Sequence, residues 1–376
     1  MDFDRTKVIF LFQGMLALVA VGLVLKHAAA AILPLTLAWL LSHLIEPAVD
    51  FSTRRKIPAS LAIFLILILL FGIFCLSGIF LYLRISSFTV AYPTYQTRLI
   101  DLIAGVTSHW NIKFDPFGGI DWEQSIARFL VTLSGSIFLF VSNLILVIVF
   151  LFFILLGKPY FQYKIVQTFS EKNADQINRI TYSIKAQIRR YLFLNILVSF
   201  VTGLLVWMAL LLIGVDFPIT WGAMAFFLNF IPTVGSIAAS IPPILLAVVQ
   251  FYPNIWPGVA TLIAVTVIQL VIGNVVTPKF MGDQLNLSPV VVLVALLFWG
   301  WLWGIVGALI SVPIAVIIKI VCENIEPLHP IGVIMGTGKS YRRTVDKSVA
   351  TAVSRNSRPH PSPVTKTDSE SNENLQ

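Results

Sequence analysis

Asn229-Phe230-Ile231-Pro232-Thr233-Val234-Gly235-Ser236 sets an amide, two hydroxyls, a proline and a glycine into the middle of an otherwise apolar stretch, Pro218 to Gln250. In lipid, unwound backbone is tolerated only where protein or water satisfies its N–H and C=O groups. Uncharged hydrogen-bonding side chains beside such a break can hold a small, neutral, hydroxyl-rich solute in transit. Asn229, Pro232, Gly235 and Ser236 are therefore candidate solute-binding positions. Gln269 and Asn274, on a later apolar span, offer the same chemistry. So do Asn195, Ser199 and Thr202 on an earlier one. Such side chains also bridge membrane helices, at about 0.6 kcal/mol each, without touching a solute.

The interrupted stretch has a twin. Aligning Pro218 with Pro289, an offset of 289 − 218 = 71 residues, also superposes Ser240-Ile241-Pro242 on Ser311-Val312-Pro313. The second interruption is Trp299-Gly300-Trp301-Leu302-Trp303-Gly304-Ile305-Val306-Gly307. Two readings fit it. Gly300-x-x-x-Gly304 permits close helix approach, whereas the three tryptophans Trp299, Trp301 and Trp303 beside these glycines can form an apolar, hydrogen-bonding wall for a ring-shaped solute or a gate. Gly304, Gly307, Pro242 and Pro313 are read as gating or packing positions.

Other chemistry is missing. No G-x-x-x-x-G-K-[ST] loop cradles nucleotide phosphates, and no H-E-x-x-H or clustered Cys and His pattern offers a metal site. His27, His43, His109, His329 and His360 are scattered, and Cys75 and Cys322 are not placed like extracellular staples. An enzyme, a cofactor and a metal are not expected. Ionisable residues inside a membrane usually mark ion or proton pathways, but here they sit at span edges: His43, Glu46, Asp50, Asp216, Lys279, Asp283, Lys319 and Glu323. An antiporter carrying charge on a deep carboxylate is thereby disfavoured.

The elements that must position these residues follow from composition. Hydrophobic residues make up 57% of the 376-residue chain and charged ones 12%, with a mean hydropathy of +0.88, whereas a soluble domain is about 25% charged. An all-α polytopic membrane protein is expected, with six to eight spans. They are Val8 to Leu25, Ala28 to Ile45, Pro58 to Leu83, Phe129 to Leu156, Leu192 to Ile213, the interrupted Pro218 to Gln250, Pro257 to Val276, and the interrupted Pro289 to Val321. The net charge of +8 concentrates beside the spans, which is a topological signal and not one for nucleic acid. Arg54-Arg55-Lys56 and the bases from Lys158 to Arg190 belong on the cytoplasmic side, which puts both termini there.

Four regions result: scaffold spans over 1–156 with an outward-facing loop at 84–128; a cytoplasmic amphipathic helix at 157–190; a transport core at 191–321 containing the interrupted segments 218–250 and 289–321; and a cytoplasmic, largely disordered tail at 322–376. The arms after each break, about 15 to 17 residues, fall short of the ~20 needed to span. Re-entrant hairpins forming an inverted repeat are favoured, with two kinked crossing helices as the alternative.

Trp221-Gly222, Asn229 through Ser236 and Ile241-Pro242-Pro243 resemble the signature of the autoinducer-2 exporter family of bacterial permease-like membrane proteins. So do Asn274 through Pro278, Met281-Gly282, Leu287, Pro289, Phe298 through Leu302, Gly304, Gly307 and Ser311-Val312-Pro313. The resemblance implies a multi-pass inner-membrane exporter of small molecules, such as the quorum signal autoinducer-2, assembled as a homo-oligomer, a pentamer in particular. It also implies a rival, since some relatives are described as sodium(lithium)/proton antiporters. A non-transporting membrane scaffold is the rival of a different class; it would leave the polar interruption unexplained.

Overall fold

The computed structural model describes residues 5–110, 122–277, 279 and 286–337. Among them the chain is helical, without a strand. The helices are α1 (Arg5–His27), α2 (Ala29–Arg54), α3 (Ala59–Trp110), α4 (Trp122–Thr168), α5 (Glu171–Ile213), α6 (Pro218–Leu228), α7 (Val234–Phe251), α8 (Trp256–Val271), α9 (Pro289–Asn324) and the short α10 (His329–Met335). α8 runs directly into a π-helical turn, Ile272–Val276. Among the described residues, seven helices are long and apolar enough to cross a membrane.

Much of their outer surface is apolar and exposed, including Leu69, Leu76, Phe153, Phe200 and Leu212. That is the surface expected of a bundle whose solvent is lipid. Inside, α2, α3 and α4 pack through Ala38, Ile45, Ile63, Leu67, Val147, Leu151 and Leu155. α5 is the mast of the second half. At 43 residues it is about 65 Å long, and it ends at Gly214, whose φ of 86° supplies the left-handed cap.

α6 docks on α5 by glycine-to-glycine contact. A Cβ on Gly222 would stand 2.8 Å from the Gly203 carbonyl oxygen, and one on Gly203 would stand 2.7 Å from that of Gly222. After the break α7 returns along α6, and the circuit closes at its base. The Gln250 amide donates to the Gly214 carbonyl (2.9 Å) and its Oε1 accepts from the Asp216 N–H (2.8 Å). Residues 216–250 thus form a helical hairpin, held together by Trp221, Ala225, Ala239, Leu246 and Ala247.

α9 also folds back on itself. Its backbone is non-helical at Gly304 (φ 65°, ψ −146°), a conformation open essentially to glycine. A Cβ on Gly307 would stand 2.0 Å from the Trp299 carbonyl oxygen, whereas residues eight apart in a straight helix are separated by about 12 Å. The base of this second hairpin is closed by α10, where the Ser288 N–H donates to the Met335 carbonyl (2.9 Å).

Four of the expected divisions differ. The expected loop at 84–128 is helical through 84–110 and again from Trp122; the Asp115 to Gly119 turn lies outside the described residues. The helix continues through Pro93, a residue that costs about 3 kcal/mol in a helix interior, and beyond it Tyr95 and Arg98 are anchored on the first hairpin. The divisions at 156/157 and 190/191 fall inside continuous helices α4 and α5. The region from 322 begins folded, because Gly332 of α10 lies against Glu323 of α9; Pro278, Met281 to Asp283 and the chain from 338 are outside the described residues.

Candidate functional site

Residues 229–233 form the tip of the first hairpin. Thr233 has φ 60°, and Gly235 begins the return so tightly that a Cβ there would stand 1.7 Å from the Leu228 carbonyl oxygen. Only hydrogen fits, so this glycine sets the closure of the tip. The Asn229 amide donates to the Ser199 hydroxyl on α5 at 3.1 Å. Pro232 and Ser236 are half-buried beside it.

Tryptophans crowd the tip of the second hairpin. Trp299 and Trp303 pack as a tilted pair, ring centroids 4.8 Å apart and planes at 41°, and the Trp303 indole donates to the Leu25 carbonyl (3.0 Å). Trp301 points outward and receives the Lys26 ammonium 4.6 Å above its ring. Gly300 makes ordinary contact, 3.7 Å from the Ala308 Cβ, so the tight approach belongs to Gly307. Pro242 and Pro313 lie within the returning arms.

The bases of the two hairpins lie at opposite ends of α5. The first is tied to Gly214, the second to Gln176, whose amide donates to the Asn324 carbonyl (2.8 Å). Their tips approach the same middle stretch. Ser199 meets the first tip, while Ile188 and Leu192 share a core with Trp299, Leu302 and Trp303 of the second. From Leu192 to Ser199 the helix rises about 10 Å. One buried face of α5 carries Tyr191, Asn195, Ser199 and Thr202 past both tips.

Gln269 is half-buried on α8, and Asn274 is exposed in the π turn. No hydrogen bond joins either to a tip among the described residues. π turns inside helices occur often at functional sites, and this one re-aims Asn274. A cavity of about 190 Å³ lies elsewhere, against the first hairpin's base, walled by Tyr95, Leu99, Trp221, Pro242, Leu246 and Val249. Its apolar lining offers a polar solute little.

Apart from Lys26 over Trp301, the described ion pairs stand away from the tips. Glu46 of α2 pairs with Lys158 of α4, with Lys185, Asp50 and His43 in electrostatic range. Lys319 and Glu323 pair at 2.9 Å near the end of α9. Near the base of the first hairpin, the Tyr95 hydroxyl donates to the Asp216 carboxylate (2.5 Å) and the Arg98 guanidinium to the Gln250 carbonyl (2.7 Å). Burial and the neighbouring Asp216 carboxylate both push the Tyr95 phenol above its ordinary value. Sequence spacing gave no signal for Tyr95, Arg98, Lys158 or Lys185, since their partners are distant in the chain. The Asn195, Ser199, Thr202 spacing on one helix face was the available sign for α5.

No metal-binding group of His, Cys, Asp or Glu exists among the described residues. An apolar helical bundle with two broken helical hairpins, an amide at the first tip and tryptophans at the second, is an architecture suited to a multi-pass membrane transport protein. The chain belongs to the AI-2E family of transporters, whose profile matches residues 13–326. It is 30% identical over 342 residues to the AI-2 transport protein TqsA of Escherichia coli, covering 87% of this chain and 95% of that one. A provisionally designated transport protein of Borreliella burgdorferi is 35% identical over 311 residues, covering 83% and 86%.

Proposed function

We propose that this protein exports a small, uncharged, polar organic solute across the bacterial inner membrane, with autoinducer-2 as the leading candidate. The observation that carries this reading is the convergence on α5 of two hairpin tips, one bearing Asn229 against Ser199 of α5 and the other the Trp299–Trp303 pair. Broken helices facing one another from opposite ends of a bundle are how secondary transporters build a site at depth. The similarity to TqsA supports the choice of solute.

In this reading the hairpins are re-entrant, entering from the two sides of the membrane as an inverted repeat. Rocking of the hairpins against the α2–α4 scaffold gives alternating access. Asn229, Pro232, Gly235, Ser236, Trp299 and Gly300 line the solute path, with Gln269 and Asn274 on the flanking helix, whereas Trp301 faces outward beneath Lys26. Gly304, Gly307, Pro242 and Pro313 shape the moving arms. Both termini face the cytoplasm, and the chain works as a homo-oligomer, a pentamer in particular.

Sodium(lithium)/proton exchange is the second reading. The charged pairs at Glu46–Lys158 and Lys319–Glu323 favour it, but no described carboxylate stands at either tip. Secretion assays separate the two. A strain lacking its own autoinducer-2 exporter, given this chain, accumulates the signal outside the cell; unchanged secretion together with increased sodium or lithium tolerance defeats the exporter reading.

A further inference from the structure

We infer that the protein holds one phospholipid between α3 and the first hairpin, with part of an acyl chain in the apolar cavity at the hairpin's base and the phosphate at Arg98. The inference does not depend on which solute is carried.

The cavity of about 190 Å³ lies between Tyr95 and Leu99 of α3, Trp221 of α6, and Pro242, Leu246 and Val249 of α7. Its two amphipathic walls commit their polar atoms to one residue. The Tyr95 hydroxyl donates to the Asp216 carboxylate at 2.5 Å, and the Trp221 indole N–H donates to the Asp216 carbonyl at 3.1 Å. Both rings are thereby left to present apolar faces. A cavity lined in this way stays dry and takes apolar guests.

Bilayer lipid is the apolar guest within reach. Leu245, also part of the lining, is 61% exposed, and Ile241, one turn nearer the tip, is exposed as well. Exposed apolar side chains on a helix long enough to span, as α7 is, face lipid. The cavity wall is thus continuous with the lipid-facing surface of α7, and a chain enters from the side.

Arg98 fixes the level of the headgroup. This exposed residue donates to the Gln250 carbonyl at 2.7 Å, beside the turn that carries Tyr252 and the exposed Trp256. Tyr and Trp collect at the membrane–water interface. From Gln250, Leu246 and Pro242 lie one and two turns nearer the tip, about 6 and 12 Å. A cation at headgroup level therefore stands above an apolar cavity, in the order of phosphate and chain in a phospholipid. Gln96, between them in the lining, carries amide donors suited to an ester carbonyl. Arg98 has no carboxylate in ion-pair contact among the described residues, and its planar fork of N–H groups matches phosphate.

Native mass spectrometry of the purified full-length protein in detergent, with added dioleoyl phosphatidylglycerol, tests the inference. Wild type should retain one lipid per chain at collision energies that strip the others. Val249→Phe, which fills the cavity, should lower that retained fraction about tenfold, and Leu99→Phe from the α3 wall serves the same purpose if the first variant fails to fold. Arg98→Gln should also lower it, whereas Arg98→Lys, which keeps the cation, and Leu212→Phe, on the outer surface far from the cavity in sequence and 84% exposed, should not. Equal retention in wild type and both cavity-filling variants overturns the inference. Retention lost on filling the cavity but unchanged in Arg98→Gln overturns the phospholipid in favour of an apolar guest without a headgroup.

Discussion

The Asn229 amide and the Ser199 hydroxyl meet at 3.1 Å, joining the tip of one broken hairpin to the middle of the long helix that also carries the other. This contact ties the polar interruption to α5 without any charge. It is worth little as a fastener, about 0.6 kcal/mol for a hydrogen bond between membrane helices. Asn229→Ala should therefore leave insertion intact and shift the melting temperature in detergent only slightly, while lowering solute export more than tenfold. Unimpaired export by this variant would move the site away from the first tip.

Glycine closure at the two tips sets a second expectation. A methyl group at position 235 or 307 would overlap the Leu228 or Trp299 carbonyl oxygen, at 1.7 and 2.0 Å. Gly235→Ala and Gly307→Ala should each destabilise the fold by about 1–3 kcal/mol, the usual cost of overpacking, and abolish transport. Gly300→Ala, whose Cβ would make ordinary contact at 3.7 Å, is the matched control. Thermal unfolding of the three variants in detergent gives the comparison, and equal melting temperatures would rule out tight closure.

At the base of the first hairpin, Tyr95 donates to Asp216, and its phenol is held above the ordinary 10.0 by burial and by that carboxylate. A group whose folded value is raised binds its proton more tightly folded than unfolded, so its stabilisation is complete below the unfolded value and is lost as pH rises through the folded one. Through this residue stability should not vary with pH near neutrality and should decline in strong alkali. Tyr95→Phe should weaken the hairpin base at neutral pH and reduce the alkaline decline; melting curves from about pH 8 to about pH 11 would reveal it. An alkaline decline as steep in Tyr95→Phe as in wild type would contradict the assignment.

Charge substitutions separate the two transport readings. Glu46→Gln removes the partner of Lys158 and should cost up to about 1 kcal/mol, typical of a partly exposed pair. Asp216→Asn keeps an acceptor for Tyr95. Neither should alter export of an uncharged solute by more than about twofold, given that neither group touches the tips. Loss of transport in either, measured in vesicles at matched expression, would revive ion coupling.

The broken helices were legible because lipid makes backbone interruption expensive: a polar, proline-bearing run inside an apolar stretch needs a reason, and the shared 71-residue offset gave it a partner. Prolines at 218 and 289 fall at helix starts, as their missing N–H favours. The length of α3 was not legible, since Tyr92-Pro93 reads as a turn and the contacts of Tyr95 and Arg98 beyond it are to residues distant in the chain. Nor could spacing locate the exact bend in the tryptophan run. Gly300, Gly304 and Gly307 look alike in sequence, yet Gly304 takes the positive φ and Gly307 the close approach. The polar stripe on α5 could be listed from sequence, but not its position between two tips, which depends on both hairpins returning to opposite ends of one helix.

Uptake of labelled autoinducer-2 by inside-out vesicles, with and without imposed sodium and proton gradients, bears most directly on the central claim. Saturable accumulation in wild type that disappears in Asn229→Ala is the predicted result. Absence of solute uptake together with gradient-dependent cation exchange would contradict it.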